Sequence, residues 1–231
     1  KETRPDGSYK TFSDYFAGTR QARFISEYTS GGVLIAIFEY DISGNLVGKT
    51  YYNSVDGKWH KESNFTGVLG DGQVHAQRDE VYTDSGLTNL EVVNIYSYYG
   101  SGKLLSKDIY DNINLIKNTN YEKFVYDATG VTMTMHTSHF GGNWHKESNF
   151  TGILGDGQVH AQRDEVYTDV NLTNLVEVNI YTYYGTGTLQ SKEVYDNVGL
   201  TKNTNFERFT YNVSGTMTEH ISYFGGNWHK E

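Results

Sequence analysis

The sequence predicts an all-β protein, an elongated antiparallel meander of tandem β-hairpins. A unit of about 85 residues recurs along the 231-residue chain. Turn signals rich in Gly and Asn divide each unit at short intervals. The segments between the turns are rich in Tyr, Val, Thr and Phe, which favour strands. No segment shows the sustained 3.6-residue apolar period of an amphipathic helix.

One 26-residue segment shows the repeat most clearly. WHKESNFTGVLGDGQVHAQRDEVYTD begins at Trp59 and recurs from Trp144 with one change, Ile153 in place of Val68. The tryptophan returns at Trp228, so its spacings are 85 and 84 residues. The chain therefore divides into a partial N-terminal repeat, a full repeat and a third segment of one continuous array, at 1–58, 59–143 and 144–231.

Turns and strand-like segments alternate in a regular order within a repeat. In the third segment the turns are GILGDG (152–157), DVNLTN (169–174), YGTG (184–187), NVGLTKN (197–203), NVSG (212–215) and FGGN (224–227). The segments between them are QVHAQRDEVYT, LVEVNIYTY, TLQSKEVY, TNFERFTY and TMTEHISY. This spacing predicts hairpins and roughly six strands per repeat.

The predicted strands lack a clean alternation of apolar and polar residues. In LVEVNIYTYY, Val178 and Ile180 share one face with Thr182, while Glu177 and Asn179 share the other. We therefore expect a sheet with a thin core, stabilised by cross-strand Tyr, Thr and Lys/Glu pairs. Such a sheet is either open or curled on itself to bury its Val, Ile and Leu side chains.

Composition excludes several classes of function. The chain has no cysteine, which excludes disulfides, thiolate metal sites and a thiol nucleophile. Its formal charge of −9 argues against nucleic acid and anionic lipid as partners. No apolar run approaches the ~18 residues of a spanning helix, so we expect no membrane insertion.

The phrases FEYDISGNLVGKTYY (38–52) and FVYDATGV (124–131) resemble the YD, or Rhs-type, repeat of bacterial surface and toxin-shell proteins. That motif reads Tyr-x-Tyr-Asp, two residues, Gly, and then a strand. The residues that carry the likeness are Tyr40, Asp41 and Gly44, Tyr126, Asp127 and Gly130, and Tyr211 and Gly215, with Asn212 in place of the aspartate. The period differs, because Rhs repeats are near one hairpin in length.

RPDGSYKTF (4–12) is similar to repeats of long secreted bacterial proteins, including those that bear calcium-binding nonapeptides. No glycine-rich nonapeptide occurs here. Both resemblances imply an extended β structure at the cell surface or outside the cell, without an active site of its own. Calcium or another divalent metal is then a conceivable cofactor, although we expect none.

The recurring tryptophans are candidate ligand-stacking residues. Trp59, Trp144 and Trp228 each lie beside a turn. Evenly spaced indoles can stack on sugar rings and give weak but multivalent binding to a polysaccharide. The alternative, which we favour, is that each indole covers its hairpin against the next strand.

Histidines and aspartates recur with the repeat and are weak candidates for metal ligation. They are His60, His75 and Asp79 in the second segment, and His145, His160 and Asp164 in the third. His75 and Asp79 project to one strand face, and a neighbouring strand carrying His60 would complete a ligand set. The favoured interpretation is a solvated polar face, so we assign no metal site.

The segment QVHAQRDE also resembles short motifs of jelly-roll alginate lyases, which pair Gln-x-His with Arg-x-Glu. In that family the arginine motif comes first and lies on a separate strand. Here the order is reversed, and the pair occurs twice. A polysaccharide lyase is therefore the least favoured alternative.

The sequence favours a non-catalytic structural repeat module of an extracellular bacterial fibre, adhesin or matrix protein, and not an enzyme. Its expected partners are like chains or neighbouring repeats. The main alternative is a carbohydrate- or metal-binding repeat module.

Overall fold

The structure is a computed structural model that describes residues 1–118, 120–202 and 205–231. The predicted turn at 197–203 and the segment TNFERFTY therefore extend beyond the described residues. Those residues form eighteen β-strands, every one paired antiparallel, and no helix. The all-β prediction and the antiparallel meander are confirmed. No described segment qualifies as a membrane-crossing helix.

The chain forms two compact units, residues 1–116 and 117–231. In the first, each strand pairs with its neighbour in sequence, from β1–β2 to β8–β9. Its strands are β1 (Glu2–Thr3), β2 (Tyr9–Tyr15), β3 (Ala22–Tyr28), β4 (Leu34–Tyr40), β5 (Leu46–Asn53), β6 (Lys58–Phe65), β7 (Ala76–Tyr82), β8 (Leu90–Tyr98) and β9 (Leu104–Tyr110).

The second unit is a meander of the same kind, with pairings from β10–β11 to β17–β18. Its strands are β10 (Glu122–Tyr126), β11 (Met133–Phe140), β12 (Asn143–Phe150), β13 (Ala161–Tyr167), β14 (Leu175–Tyr183), β15 (Leu189–Tyr195), β16 (Phe206–Tyr211), β17 (Met217–Phe224) and β18 (Asn227–Lys230). The recurring tryptophan lies near the start of β6, β12 and β18, so each repeat contains the six strands that the turn spacing predicts.

The YD phrases form the turns that follow β4, β10 and β16. Asp41 accepts hydrogen bonds from the backbone N–H groups of Ser43 and Asn45, at 2.9 and 2.8 Å. Gly44 supplies the positive φ of 86° that closes this turn. Asn212 accepts the equivalent bonds, from Ser214 and Thr216 at 3.0 Å each, so the amide replaces the aspartate without loss of the turn.

Four turns place a leucine, instead of glycine, in the left-handed region. They are Leu87, Leu115, Leu172 and Leu200, with φ between 53° and 56°. A branched side chain is costly in this conformation. Leu200 offsets the cost by packing against the buried residues Val178, Tyr195 and Phe206.

Burial is spread thinly over both faces of the sheet. On β14, Val178 is buried on one face and Asn179 on the other, while Val176 is 44 % exposed. The alternation of the strand sequence therefore does not separate a wet face from a dry one. Tyrosines and charged residues such as Tyr82, Asp79 and Glu80 are buried beside the few aliphatic side chains.

Candidate functional site

One face of the first unit carries a cleft, which we call the tyrosine groove. Its volume is about 600 Å³, and its lining comes from strands β4 to β8 and the loop before β7. Its chemical character comes from three tyrosines, two carboxylates and a lysine, namely Tyr51, Tyr96, Tyr98, Glu62, Asp79 and Lys49. Three of the predicted candidate metal ligands line it, namely Asp79 together with His60 and His75.

Strand register brings these charged residues together. Lys49 on β5 lies opposite Glu62 on β6, and Glu62 lies opposite Asp79 on β7. Asp79 in turn lies opposite Asn94 on β8. Directly opposed residues of an antiparallel sheet project to the same face. The row therefore places one cation, two carboxylates and an amide side by side across four strands.

Glu62 is held from two sides. The hydroxyl of Tyr51 donates to its Oε1 at 3.1 Å, and Lys49 Nζ lies 3.4 Å from its Oε2. Lys49 also lies over the ring of Tyr51, 3.9 Å from the ring centroid. Burial, followed by the charge of Glu62, raises the pKa of Tyr51, so this hydroxyl remains a donor at neutral pH.

His60 is buried, and each of its ring nitrogens faces a carboxylate. Nε2 lies 2.9 Å from Asp56 Oδ2, and Nδ1 lies 3.0 Å from Asp79 Oδ2. Burial opposes the charged imidazolium, but the two carboxylates outweigh burial and raise the pKa of His60. The ring therefore ties the β5–β6 turn to β7.

Tyr96 differs from Tyr51 and Tyr98, because its hydroxyl has no hydrogen-bond partner among the residues that the structure describes. The side chain is partly buried in the groove. Burial, and then the charge of Asp79, raises its pKa, so the hydroxyl keeps its proton. A polar atom in this position is available to a ligand.

The loop between β6 and β7 forms one wall of the groove and is fixed by His75. His75 Nε2 lies 2.8 Å from Asp71 Oδ2, and its ring lies 4.7 Å from the ring of Tyr98. The Tyr98 hydroxyl donates to the carbonyl of Ala76 at 3.0 Å. The loop backbone is thereby tied to β8 through two side chains.

The same loop contacts the β8–β9 turn through glycines. The N–H of Gly70 donates to the carbonyl of Gly100 at 2.8 Å. At Gly102, where φ is 85°, a Cβ atom would collide with the carboxylate of Asp71. Glycine is therefore required at this position for two independent reasons, the backbone conformation and the close approach of Asp71.

The second unit repeats much of this arrangement. His145 Nδ1 lies 3.0 Å from Asp164 Oδ2, and His160 Nε2 lies 2.7 Å from Asp156 Oδ2. Tyr181 is the counterpart of Tyr96, and its hydroxyl likewise has no partner among the described residues. Burial, and then Asp164, raises the pKa of Tyr181.

Two substitutions distinguish the second unit from the first. By strand register, His136 takes the position of Lys49, opposite Glu147 as Lys49 is opposite Glu62, and Ser138 takes that of Tyr51, opposite His145. His136 lies between two carboxylates, with Nδ1 2.7 Å from Glu147 and Nε2 3.2 Å from Glu122. Burial lowers the pKa of His136, but hydrogen bonding to Glu147 and Glu122 outweighs burial and raises it.

The opposite face of β7 carries a separate network around the buried carboxylate of Glu80. Arg78 Nε donates to it at 2.8 Å, and the Tyr82 hydroxyl donates at 2.7 Å. Burial raises the pKa of Glu80, but these donors outweigh burial and hold it below its usual range. Burial and the bond to Glu80 raise the pKa of Tyr82 to about 12. Arg163, Glu165 and Tyr167 repeat the network in β13.

Side chains along β7 alternate between the two faces of the sheet, and this separates the two halves of the lyase-like motif. His75 and Asp79 line the groove, whereas Arg78 and Glu80 lie on the other face. The two pairs therefore do not converge on one cleft.

Each recurring tryptophan packs against a neighbouring aromatic ring. Trp59 lies 5.7 Å from Tyr52, and buried Trp144 lies 4.9 Å from His139, ring centroid to ring centroid. Trp228 is 56 % exposed and lies 5.0 Å from Tyr223. Trp144 therefore offers little ring surface to a ligand, whereas Trp228 keeps an accessible one.

The candidate metal ligands are distributed over separate pairs. His75 pairs with Asp71, and His60 with Asp79 and Asp56. Within 1–118, 120–202 and 205–231, no group of three or more His, Asp or Glu side chains is arranged to hold a metal ion.

Comparisons with known proteins do not assign the chain to a family. No family model matches the chain, and no curated protein matches it significantly. The crystal structure of TcdB2-TccC3-Cdc42 aligns with 94 % of this chain at 11 % identity and a TM-score of 0.29. The Photorhabdus luminescens Tc holotoxin pore with mutated TccC3 aligns with 95 % at 12 % identity and a TM-score of 0.28. The chain spans 12 % of either matched chain, and likenesses this weak carry no argument.

Proposed function

We propose that the chain is a non-catalytic structural repeat module of an extracellular bacterial fibre, adhesin or matrix protein. The observation that carries this proposal is that the same hydrogen bonds recur in two repeats. The recurring contacts are His60–Asp79 and His145–Asp164, Arg78–Glu80 and Arg163–Glu165, Tyr98–Ala76 and Tyr183–Ala161, and Gly70–Gly100 and Gly155–Gly185.

These contacts occupy the groups that catalysis would otherwise use. Glu80 accepts from Arg78 and Tyr82 and lies 3.7 Å from Lys61. His60 is bonded at both nitrogens. Groups bonded in this way stabilise the sheet, and a substrate would have to compete with these partners to use them. This supports a structural role for the repeat.

Exposed apolar residues at equivalent loop positions support association between like chains. Val68 is 71 % exposed, and Ile153, the single difference between the two 26-residue copies, is 76 % exposed. In the second unit, Ile153 lines an apolar groove of about 520 Å³ together with Phe150 and Met133. Repeated apolar surface of this kind favours lateral packing over solvation.

Negative-stain electron microscopy of the purified chain tests the proposal. We expect rods or fibres whose amount increases with protein concentration. The double variant Val68→Asp and Ile153→Asp should keep its circular dichroism spectrum and assemble less, because charges replace the exposed apolar groups.

Compact monodisperse particles at every concentration would contradict the structural role. The location has its own test: protease added outside intact producing cells should cleave the protein. Full protection in intact cells, with cleavage after lysis, would contradict an extracellular location.

A further inference from the structure

The tyrosine groove contains one hydroxyl without a hydrogen-bond partner among the described residues and one carboxylate that is still partly exposed. The Tyr96 hydroxyl is partly buried and unbonded among the described residues, and Glu62 keeps 19 % of its side chain exposed. A partly buried polar group without a partner is costly unless water or a ligand satisfies it. The groove therefore favours a polar ligand that can hydrogen-bond to the Tyr96 hydroxyl and to Glu62.

The partners of the charged groups indicate what kind of occupant the groove accepts. Lys49 lies 3.4 Å from Glu62, and His60 lies between Asp79 and Asp56. His75 at the wall bonds to Asp71. A charged ligand would have to displace one of these partners, because each charged group of the lining is already paired within the fold. An uncharged ligand with many hydroxyls meets acceptors and donors without adding a charge.

The apolar part of the lining suits the C–H faces of sugar rings. Phe38 and Leu46 line the end of the groove formed by β4 and β5, and Tyr96 and Tyr98 line the end formed by β8. Four inter-strand spacings separate β4 from β8, which is roughly 19 Å. This distance accommodates several sugar units in a row, with aromatic rings at both ends.

We propose that the tyrosine groove binds a neutral oligosaccharide, with the Tyr96 hydroxyl and Glu62 as direct hydrogen-bonding groups. The second unit does not share this site, because His136 and Ser138 there occupy the register positions of Lys49 and Tyr51, the two residues that hold Glu62 in the first unit. Sugar binding at the groove neither requires nor excludes the proposed structural role.

Isothermal titration calorimetry with a panel of oligosaccharides tests the proposal on the full chain. The neutral probes are hexasaccharides of glucose, mannose and galactose in several linkages, and the charged probes are uronic-acid and glucosamine oligomers. We expect at least one neutral probe to bind at millimolar concentration or below. The charged probes should bind more weakly than that neutral probe.

Tyr96→Phe removes a hydroxyl to which no described residue hydrogen-bonds, and should therefore leave the thermal midpoint unchanged. It should weaken binding about 2- to 10-fold, the effect of one hydrogen bond. Tyr181→Phe is the matched control, because it makes the same change at the counterpart position, and it should leave the affinity unchanged. Glu62→Gln should weaken binding further.

Three results would overturn the proposal. One is the absence of binding by every neutral probe. Another is stronger binding of an acidic or cationic probe, which would indicate a different ligand class. The third is an affinity that Tyr181→Phe reduces and Tyr96→Phe does not.

Discussion

His60 Nδ1 lies 3.0 Å from Asp79 Oδ2, and the pair His145 and Asp164 keeps the same separation in the second unit. Both histidines are held between strands by carboxylates, as is His136. The pKa of all three is raised above the ordinary histidine value, for His60 and His136 against the effect of burial, and for His145 chiefly by hydrogen bonding to Asp164. Folding therefore favours their protonated forms.

The first prediction concerns pH. A raised folded pKa means that the stabilisation is complete below the unfolded value of about 6.5 and is lost as the pH rises through the folded value. We expect the thermal midpoint to fall as the pH increases from mildly acidic to mildly alkaline. His136→Gln should reduce this slope, whereas His229→Gln, at an exposed position, should not.

The measurement is a series of thermal melts followed by circular dichroism in buffers of constant ionic strength. A midpoint that rises over the same pH range would contradict the charged state of these histidines. An equal slope of thermal midpoint against pH in wild type and His136→Gln would show that the contacts with Glu122 and Glu147 contribute nothing to the pH dependence of stability.

The second prediction concerns Gly102. Gly102→Ala should destabilise the first unit more than Gly72→Ala, although both glycines have positive φ, 85° and 77°. A Cβ at Gly72 meets nothing within 4 Å. Gly72→Ala should therefore lower the free energy of unfolding only by the cost of a left-handed alanine, about 1–2 kcal/mol. At Gly102 the Asp71 carboxylate must also move. Urea unfolding measures both variants, and equal losses would refute the role of Asp71.

The third prediction concerns the hydroxyl of Tyr82. Tyr82→Phe removes the 2.7 Å bond to the buried carboxylate of Glu80 and should cost roughly 1.5 kcal/mol or more, as expected for a hydrogen bond to a charged group. Tyr52→Phe, on an exposed tyrosine, should change stability by less than about 0.5 kcal/mol. Denaturant unfolding of the two variants distinguishes them, and equal effects would contradict the contribution of this bond.

The fourth prediction concerns the repeat as a unit of folding. Deletion of residues 59–143 joins Lys58 to Trp144. The new junction keeps the Lys-Trp sequence, because Lys58 is followed by Trp59 in the intact chain. The deletion removes an even number of strands, so every later strand keeps its direction. The shortened chain should give the same strand spectrum per residue and one cooperative melt. Deletion of residues 66–82 instead removes β7 alone, reverses the strands that follow, and should abolish cooperative unfolding.

The turns and strands could be predicted from sequence because their signals are local. GDG, YGSG and the YD phrases specify their own turns, and the segments between them have strand composition. The pairing of Lys49 with Glu62 follows from hairpin register once the β5–β6 turn is known, and the same register places Tyr51 diagonally across from Glu62.

The groove as a whole could not be predicted, because it depends on register over several strands. Tyr96 meets residues from β5 and β6 only after the register shift between Val81 and Tyr82. Asn64 also adopts the left-handed region within β6, with φ of 54°, which simple alternation does not anticipate. The burial of Trp144 beside Tyr121 and His139 likewise depends on side-chain packing.

Within each unit, every described strand hydrogen-bonds only to the strands next to it in the chain. Strand pairing among the described residues of each unit does not wait for a distant segment to be synthesised, so the loop-closure entropy of each pairing step remains small. Such a chain can fold progressively from whichever end first leaves the ribosome or a narrow export channel. Each new hairpin then adds to an edge that is already formed.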